Sequence, residues 1–111
     1  MIDNTQINAL IDLLGKDIIN SIRVEYIEDS TQKITQLKAA WIEKDYQTVR
    51  EVSHSLKSSS LNMAMRTFAE LCGKIEKFAS HQSDNEIQAI LDSLSTIHSD
   101  SLEVLETYFL D

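Results

Sequence analysis

Apolar side chains recur three and four residues apart along almost the whole chain, the spacing that gathers them on one face of an α-helix. Ile7, Leu10, Ile11 and Leu14 follow the capping-type residues Asp3, Asn4 and Thr5, and Gly15 comes where a helix can close with a positive φ. A short first helix is predicted. The pattern restarts at Lys16, where Ile19, Ile22, Ile27, Ile34, Leu37 and Trp41 predict a long second helix running to about Glu43. Asp45 is placed to cap a third, whose inner positions are Val49, Val52, Leu56 and Met63, with Ser59 and Ser60 on the same side. The next apolar set, Phe68, Leu71, Ile75 and Phe78, lies roughly a quarter-turn or more around the axis, so one straight helix cannot bury both sets. Thr67 and Glu70 have capping-box spacing, which predicts a break between Met63 and Thr67 and a fourth helix beginning there. After the polar run His81 to Asn85, Ser83 and Glu86 repeat that spacing. Ile87, Ile90, Leu91, Leu94, Ile97, Ser101, Leu102, Leu105 and Phe109 then predict a last long helix.

The fold class that follows is all-α: an antiparallel four-helix bundle with an additional short N-terminal helix, in a single domain spanning 1–111. The composition agrees, since the chain has no proline and only two glycines, which removes the usual punctuation of strands and tight turns. Charge narrows the partners. Eighteen acidic against ten basic side chains leave a formal charge of -8, which repels a phosphate backbone and an anionic membrane and favours a protein partner. The one cysteine, Cys72, excludes an internal disulfide and is expected as a packed thiol. With no cleavable signal and no apolar run long enough to span a bilayer, a cytoplasmic protein is expected.

The candidate chemistry centres on the stretch "HSLKSSS", His54 to Ser60. On a helical wheel His54 lies opposite Val49, Val52, Leu56 and Met63, so its ring points to solvent, with Arg50 a turn before it and Lys57 and Ser58 a turn after. Two cations within a turn of one imidazole favour a dianionic group attached there. Ser58 is small enough to leave room for an approaching partner, and Leu61, apolar on an outward face, fits a docking contact that Met65 extends. Other chemistries fit less well. Ser58 to Ser60 lack the base, acid and oxyanion hole of a serine triad. Glu51 and His54 have the Glu-x-x-His spacing of di-iron bundles, but neither His81 nor His98 has a glutamate three residues before it, so no metal site is expected. A lone surface histidine with a lysine at i+3 also arises by chance, as part of a solvated charge pattern.

The stretch "SHSLKSSSLNMAMRTFAELCGKIE", Ser53 to Glu76, resembles the signature of histidine-containing phosphotransfer domains, His-x-Leu-Lys-Gly/Ser-Ser/Ala with a small residue ten positions after the histidine. His54, Leu56, Lys57, Ser58 and Ser59 fall on that motif without a gap, and the similarity extends upstream through "EYIEDSTQKITQLKAAWIEKDYQTVREVS". Two departures stand out: Ala64 where the family usually has glycine, and Met65 in place of a commoner alanine.

The resemblance implies a phosphocarrier in a multistep two-component phosphorelay. His54 would accept a phosphoryl group from a receiver-domain aspartate and pass it to another receiver, with Lys57 stabilising the phosphate and Arg50, Ser58, Leu61 and Met65 in receiver docking. Asp29 falls near the position of a polar side chain that orients the histidine in some members. The partners implied are response-regulator receivers and a hybrid sensor kinase. No ATP-dependent kinase activity and no cofactor of its own are expected, the Mg2+ being supplied by the receiver; the chain lacks a phosphate-binding Gly-x-x-x-x-Gly-Lys loop. A bundle closed within one chain is expected to be a monomer. The alternative is a non-catalytic helical-bundle module that keeps the scaffold and uses the surface around Leu61 only to bind a signalling partner.

Overall fold

The computed structural model describes residues 1–110, and Asp111, the last residue of the expected domain, lies outside them. The helices are α1 (Asn4–Leu14), α2 (Lys16–Ile42), α3 (Tyr46–Asn62), α4 (Arg66–Ser80) and α5 (Asp84–Glu106), followed by a 3-10 turn at Thr107–Phe109. No described residue is in a strand. Asp3 caps α1 by accepting a hydrogen bond from the Gln6 backbone N–H at 3.1 Å. Gly15 both ends α1 and starts α2 with φ +91°, a conformation that costs little only without a Cβ. At ~1.5 Å per residue α2 alone is about 40 Å long. It sets the long dimension of a molecule measuring 43 × 21 × 20 Å.

Three-residue connections link α2 to α3, α3 to α4 and α4 to α5, and all three close in one way without glycine. In each, the middle residue is left-handed: Lys44 at φ 53°, Ala64 at φ 62° and Gln82 at φ 52°. Its N–H donates three residues back, to Trp41, Leu61 and Ala79 respectively, while the next residue's N–H donates five back, to Ala40, Ser60 and Phe78. That pair of bonds is a Schellman closure, which satisfies carbonyls that a helix end otherwise leaves open. The closing residue, Asp45, Met65 or Ser83, then serves as N-cap of the following helix. Chain reversals this short force neighbouring helices antiparallel.

Two expected capping boxes do not form. Thr67 lies inside α4, which starts at Arg66 because the closure of α3 has already placed Met65 at the cap position. The Thr67 N–H donates instead to the Met1 carbonyl at 3.3 Å. Ser83 is the N-cap of α5 as expected, yet its side chain makes no capping bond.

Packing is most extensive between α3 and α4, less between α4 and α5 and between α2 and α3, and slight between α2 and α5. Leu37, Val49, Leu56, Phe68, Ile75, Ile87, Leu94 and Leu105 fill the centre. On α2 the buried stripe runs Ile19, Tyr26, Ser30, Ile34, Leu37, Trp41, so Ile22, expected inside, is 45% exposed and Tyr26 and Ser30 take the inner places. Hydrogen bonding makes that possible. Tyr26 Oη and Ser60 Oγ share a bond of 2.7 Å, and Ser30 Oγ bonds His98 Nε2 at 2.8 Å, so the polar atoms enter the core already paired. Leu14, also expected to pack, is exposed.

Candidate functional site

The register of α3 places its functional side chains. Val49, Ser53, Leu56 and Ser60 face inward, which turns Arg50, His54 and Ser58 outward. The His54 side chain is 58% exposed. Because α3 lies along α4, the ring stands over the outer edge of that helix, in a shallow open recess lined by Arg50, Glu51, His54, Glu76 and Ser80.

Glu76 organises the site. Its Oε2 is 2.8 Å from His54 Nδ1, and its Oε1 accepts from Lys57 Nζ at 2.9 Å, so one carboxylate ties the imidazole and the ammonium together. Burial, the largest single influence on Glu76, pushes its carboxyl upward, but the hydrogen bonds and charges of Lys57 and His54 together outweigh it and hold the group below its ordinary value. Glu76 is therefore ionised at neutral pH. An ionised carboxylate only accepts hydrogen bonds, so Nδ1 must carry the proton. In the neutral ring Nε2 then has a bare lone pair, and it is the nitrogen turned away from Glu76. A nucleophile with a fixed tautomer, an adjacent cation and an open approach is what the arrangement offers chemically.

The structure brings His54, Lys57 and Arg50 together on one side, with Ser58 exposed on the same helix and Leu61 46% exposed beyond it. Met65 does not belong with them. Expected as a docking contact, it is 0% exposed, because the left-handed turn at Ala64 swings the chain inward and ties the Met65 N–H to the Ser60 carbonyl. Asp29 is also corrected: its carboxylate pairs with Lys33 at 3.0 Å, one turn along α2, and it is Glu76 that contacts the histidine ring. Glu76 was missed as a site residue, although it ends the stretch that carries the motif. No local pattern marks it, since its role depends on how α4 is rotated against α3. Cys72 is fully buried and desolvation pushes its thiol up to about 12, so it packs and does not react.

Between α2 and α3 a second shallow groove is lined by Ile22, Tyr26, Ser59, Asn62 and Met63, with Glu25 and Asp29 beside them. The exposed Ile22 thus belongs to an apolar surface near the outer end of α3. Among the described residues no helix is long and apolar enough to cross a membrane.

A search of the curated proteins finds no match. Among solved structures, the crystal structure of histidine-containing phosphotransfer protein B (HptB) from Pseudomonas aeruginosa PAO1 is similar in fold, with a TM-score of 0.88 over 97% of this chain and 93% of that one at 19% sequence identity. A family model described as Hpt domain matches residues 21–106, a span that holds nearly all of α2 to α5 and with them His54, Lys57 and Glu76. The chain belongs to the Hpt-domain family, the histidine-containing phosphotransfer domains.

Proposed function

We propose that His54 carries the phosphoryl group in the histidine phosphotransfer of a phosphorelay, the role that family membership assigns to this chain. The observation that supports it most directly is the exposed ring whose Nδ1 is held by an ionised carboxylate, leaving Nε2 as the open nitrogen. In the forward step the Nε2 lone pair attacks the phosphorus of a receiver's aspartyl phosphate. The P–O bond to the aspartate breaks, the aspartate leaves as carboxylate, and an Nε2–P bond forms. No proton is transferred, because the ring keeps its Nδ1 hydrogen and becomes cationic, with Glu76 beside it to stabilise that charge. Handing the group to a second receiver reverses each bond change.

Lys57 supplies a positive charge within reach of the phosphoryl oxygens. Arg50, Ser58 and Leu61 form the surface on which the receiver docks, together with the groove at Ile22. The Mg2+ and most of the electrostatic catalysis belong to the receiver, and this chain acts as a phosphocarrier without ATP-dependent kinase activity. A hybrid sensor kinase stands upstream. The protein is a cytoplasmic monomer, and residues 1–111 form one helical-bundle domain.

The test is to mix the purified protein with receivers phosphorylated with radiolabelled phosphate. Acid-labile, base-stable label is expected on the wild type and none on His54→Gln, whose circular dichroism stays helical because the ring lies outside the core. Label retained by His54→Gln would refute the assignment. No label from any of a broad set of receivers would leave the binding-only module as the better account.

A further inference from the structure

Gly73 sits in the interior of α4, where its φ is not left-handed and no turn requires glycine. Glycine weakens a helix at such a place, so the backbone gives no reason for it. Its surroundings do. A Cβ added at Gly73 would lie 3.1 Å from Lys57 Cδ and 3.9 Å from Lys57 Cγ, and would touch nothing else within 4 Å. The empty position is therefore occupied by the aliphatic stem of Lys57, which crosses the α4 backbone there. Its ammonium reaches Glu76 one turn further on, at 2.9 Å.

We infer that Gly73 is a positioning residue for phosphotransfer: its missing side chain lets the Lys57 stem lie against α4, so that the ammonium is held beside His54. The inference rests on the proposed role of Lys57 and adds the residue that makes its placement possible. The tight contact is with the middle of the stem rather than its free end, so a methyl group moves the chain by a few tenths of an ångström, whereas a branched side chain lifts it off the helix.

Gly73→Ala and Gly73→Leu test this, each made alone and combined with Lys57→Ala. Phosphoramidate serves as donor: Nε2 displaces ammonia from phosphorus, and the decay of phosphohistidine is followed by 31P NMR. Gly73→Ala is expected to raise the thermal midpoint, because the helix gains, while shortening the phosphohistidine lifetime. Gly73→Leu is expected to bring the lifetime to within about twofold of that of Lys57→Ala. Neither substitution should change it further once Lys57 is alanine. NMR relaxation of the Lys57 side chain in the unphosphorylated protein gives a second readout, and its order should fall in Gly73→Leu with helicity unchanged. An equally ordered Lys57 in Gly73→Leu, or the same shortening with and without Lys57, would overturn the inference. If Lys57→Ala itself has a wild-type lifetime, the phosphate-stabilising role of Lys57 fails, and the Lys57 relaxation data still decide the role of Gly73.

Discussion

At His54 the two ring nitrogens have separate surroundings, one bonded to Glu76 and the other turned away from it, and the proposed transfer gives the second to the phosphorus. The His54–Glu76–Lys57 cluster is too exposed to add much to folding, since partly solvated ion pairs contribute about 0–1 kcal/mol. In the proposed transfer step its value is that the ring acquires a positive charge beside the carboxylate. A charge-assisted hydrogen bond is worth roughly 1.5–3 kcal/mol, and partial exposure puts this one at the low end, which corresponds to about tenfold in rate. Glu76→Ala is therefore expected to slow transfer from a phosphorylated receiver about tenfold in rapid-quench experiments, with little change in thermal stability. Glu76→Gln keeps an acceptor for Nδ1–H but no charge, and should fall between the two. Lys57→Ala leaves the tautomer in place and should speed loss of the phosphoryl group. A Glu76→Ala protein as fast as the wild type would remove the carboxylate from the mechanism.

Between elements, three identical closures do the work that glycine and proline usually do. A non-glycine residue in the left-handed region costs about 1–2 kcal/mol, and glycine returns roughly 0.5–1 kcal/mol of that as lost chain freedom. Gln82 is exposed, so Gln82→Gly is expected to stabilise by about 0.5–1 kcal/mol, read as a higher urea midpoint at unchanged slope. Ala64 has the same backbone but is buried, and losing its methyl costs about 0.8 kcal/mol. Ala64→Gly should therefore be close to neutral. The ordering is the check: Ala64→Gly more stabilising than Gln82→Gly would mean that side-chain burial does not govern these turns. The departure from the family's usual glycine at Ala64 is tolerated because the buried methyl offsets the strain. The chain reversal that keeps Met65 inside survives.

Across the whole molecule, the packing between α2 and α5 is slight, and His98 bridges that seam through Ser30 while its ring packs 4.9 Å from that of Phe68. Desolvation lowers the His98 pKa below its ordinary value. Its titratable neighbour across the seam, Tyr26, is pushed further up by burial and stays neutral. The sign follows from linkage. Below about pH 6.5 the unfolded chain protonates this histidine while the folded chain resists, so the unfolded state binds more protons and stability falls with falling pH until the folded value is passed. His98→Gln keeps a polar group near Ser30 and cannot titrate. The wild type should therefore lose more stability than His98→Gln between about pH 7 and pH 5 in thermal melts, the other titrating groups being common to both. Equal losses would show that the proton is accommodated without opening the seam.

The sequence by itself determined what depends on neighbours along one helix. Five periodic stripes specified the helices, and within α3 the face of Val49, Val52 and Leu56 turned His54 outward, because side-chain direction in a helix repeats every 3.6 residues. The tertiary structure decided what depends on how two helices are rotated against each other, or on a backbone angle without its customary residue. Glu76 meets His54 across 22 positions of sequence. Met65 turns inward because alanine, with no glycine to signal it, adopts a left-handed angle at 64. Tyr26 and Ser30 displace Ile22 from the core because their partners wait on α3 and α5. Periodicity measures a residue's direction from its own axis, and it carries no information about which atom of another helix lies in that direction.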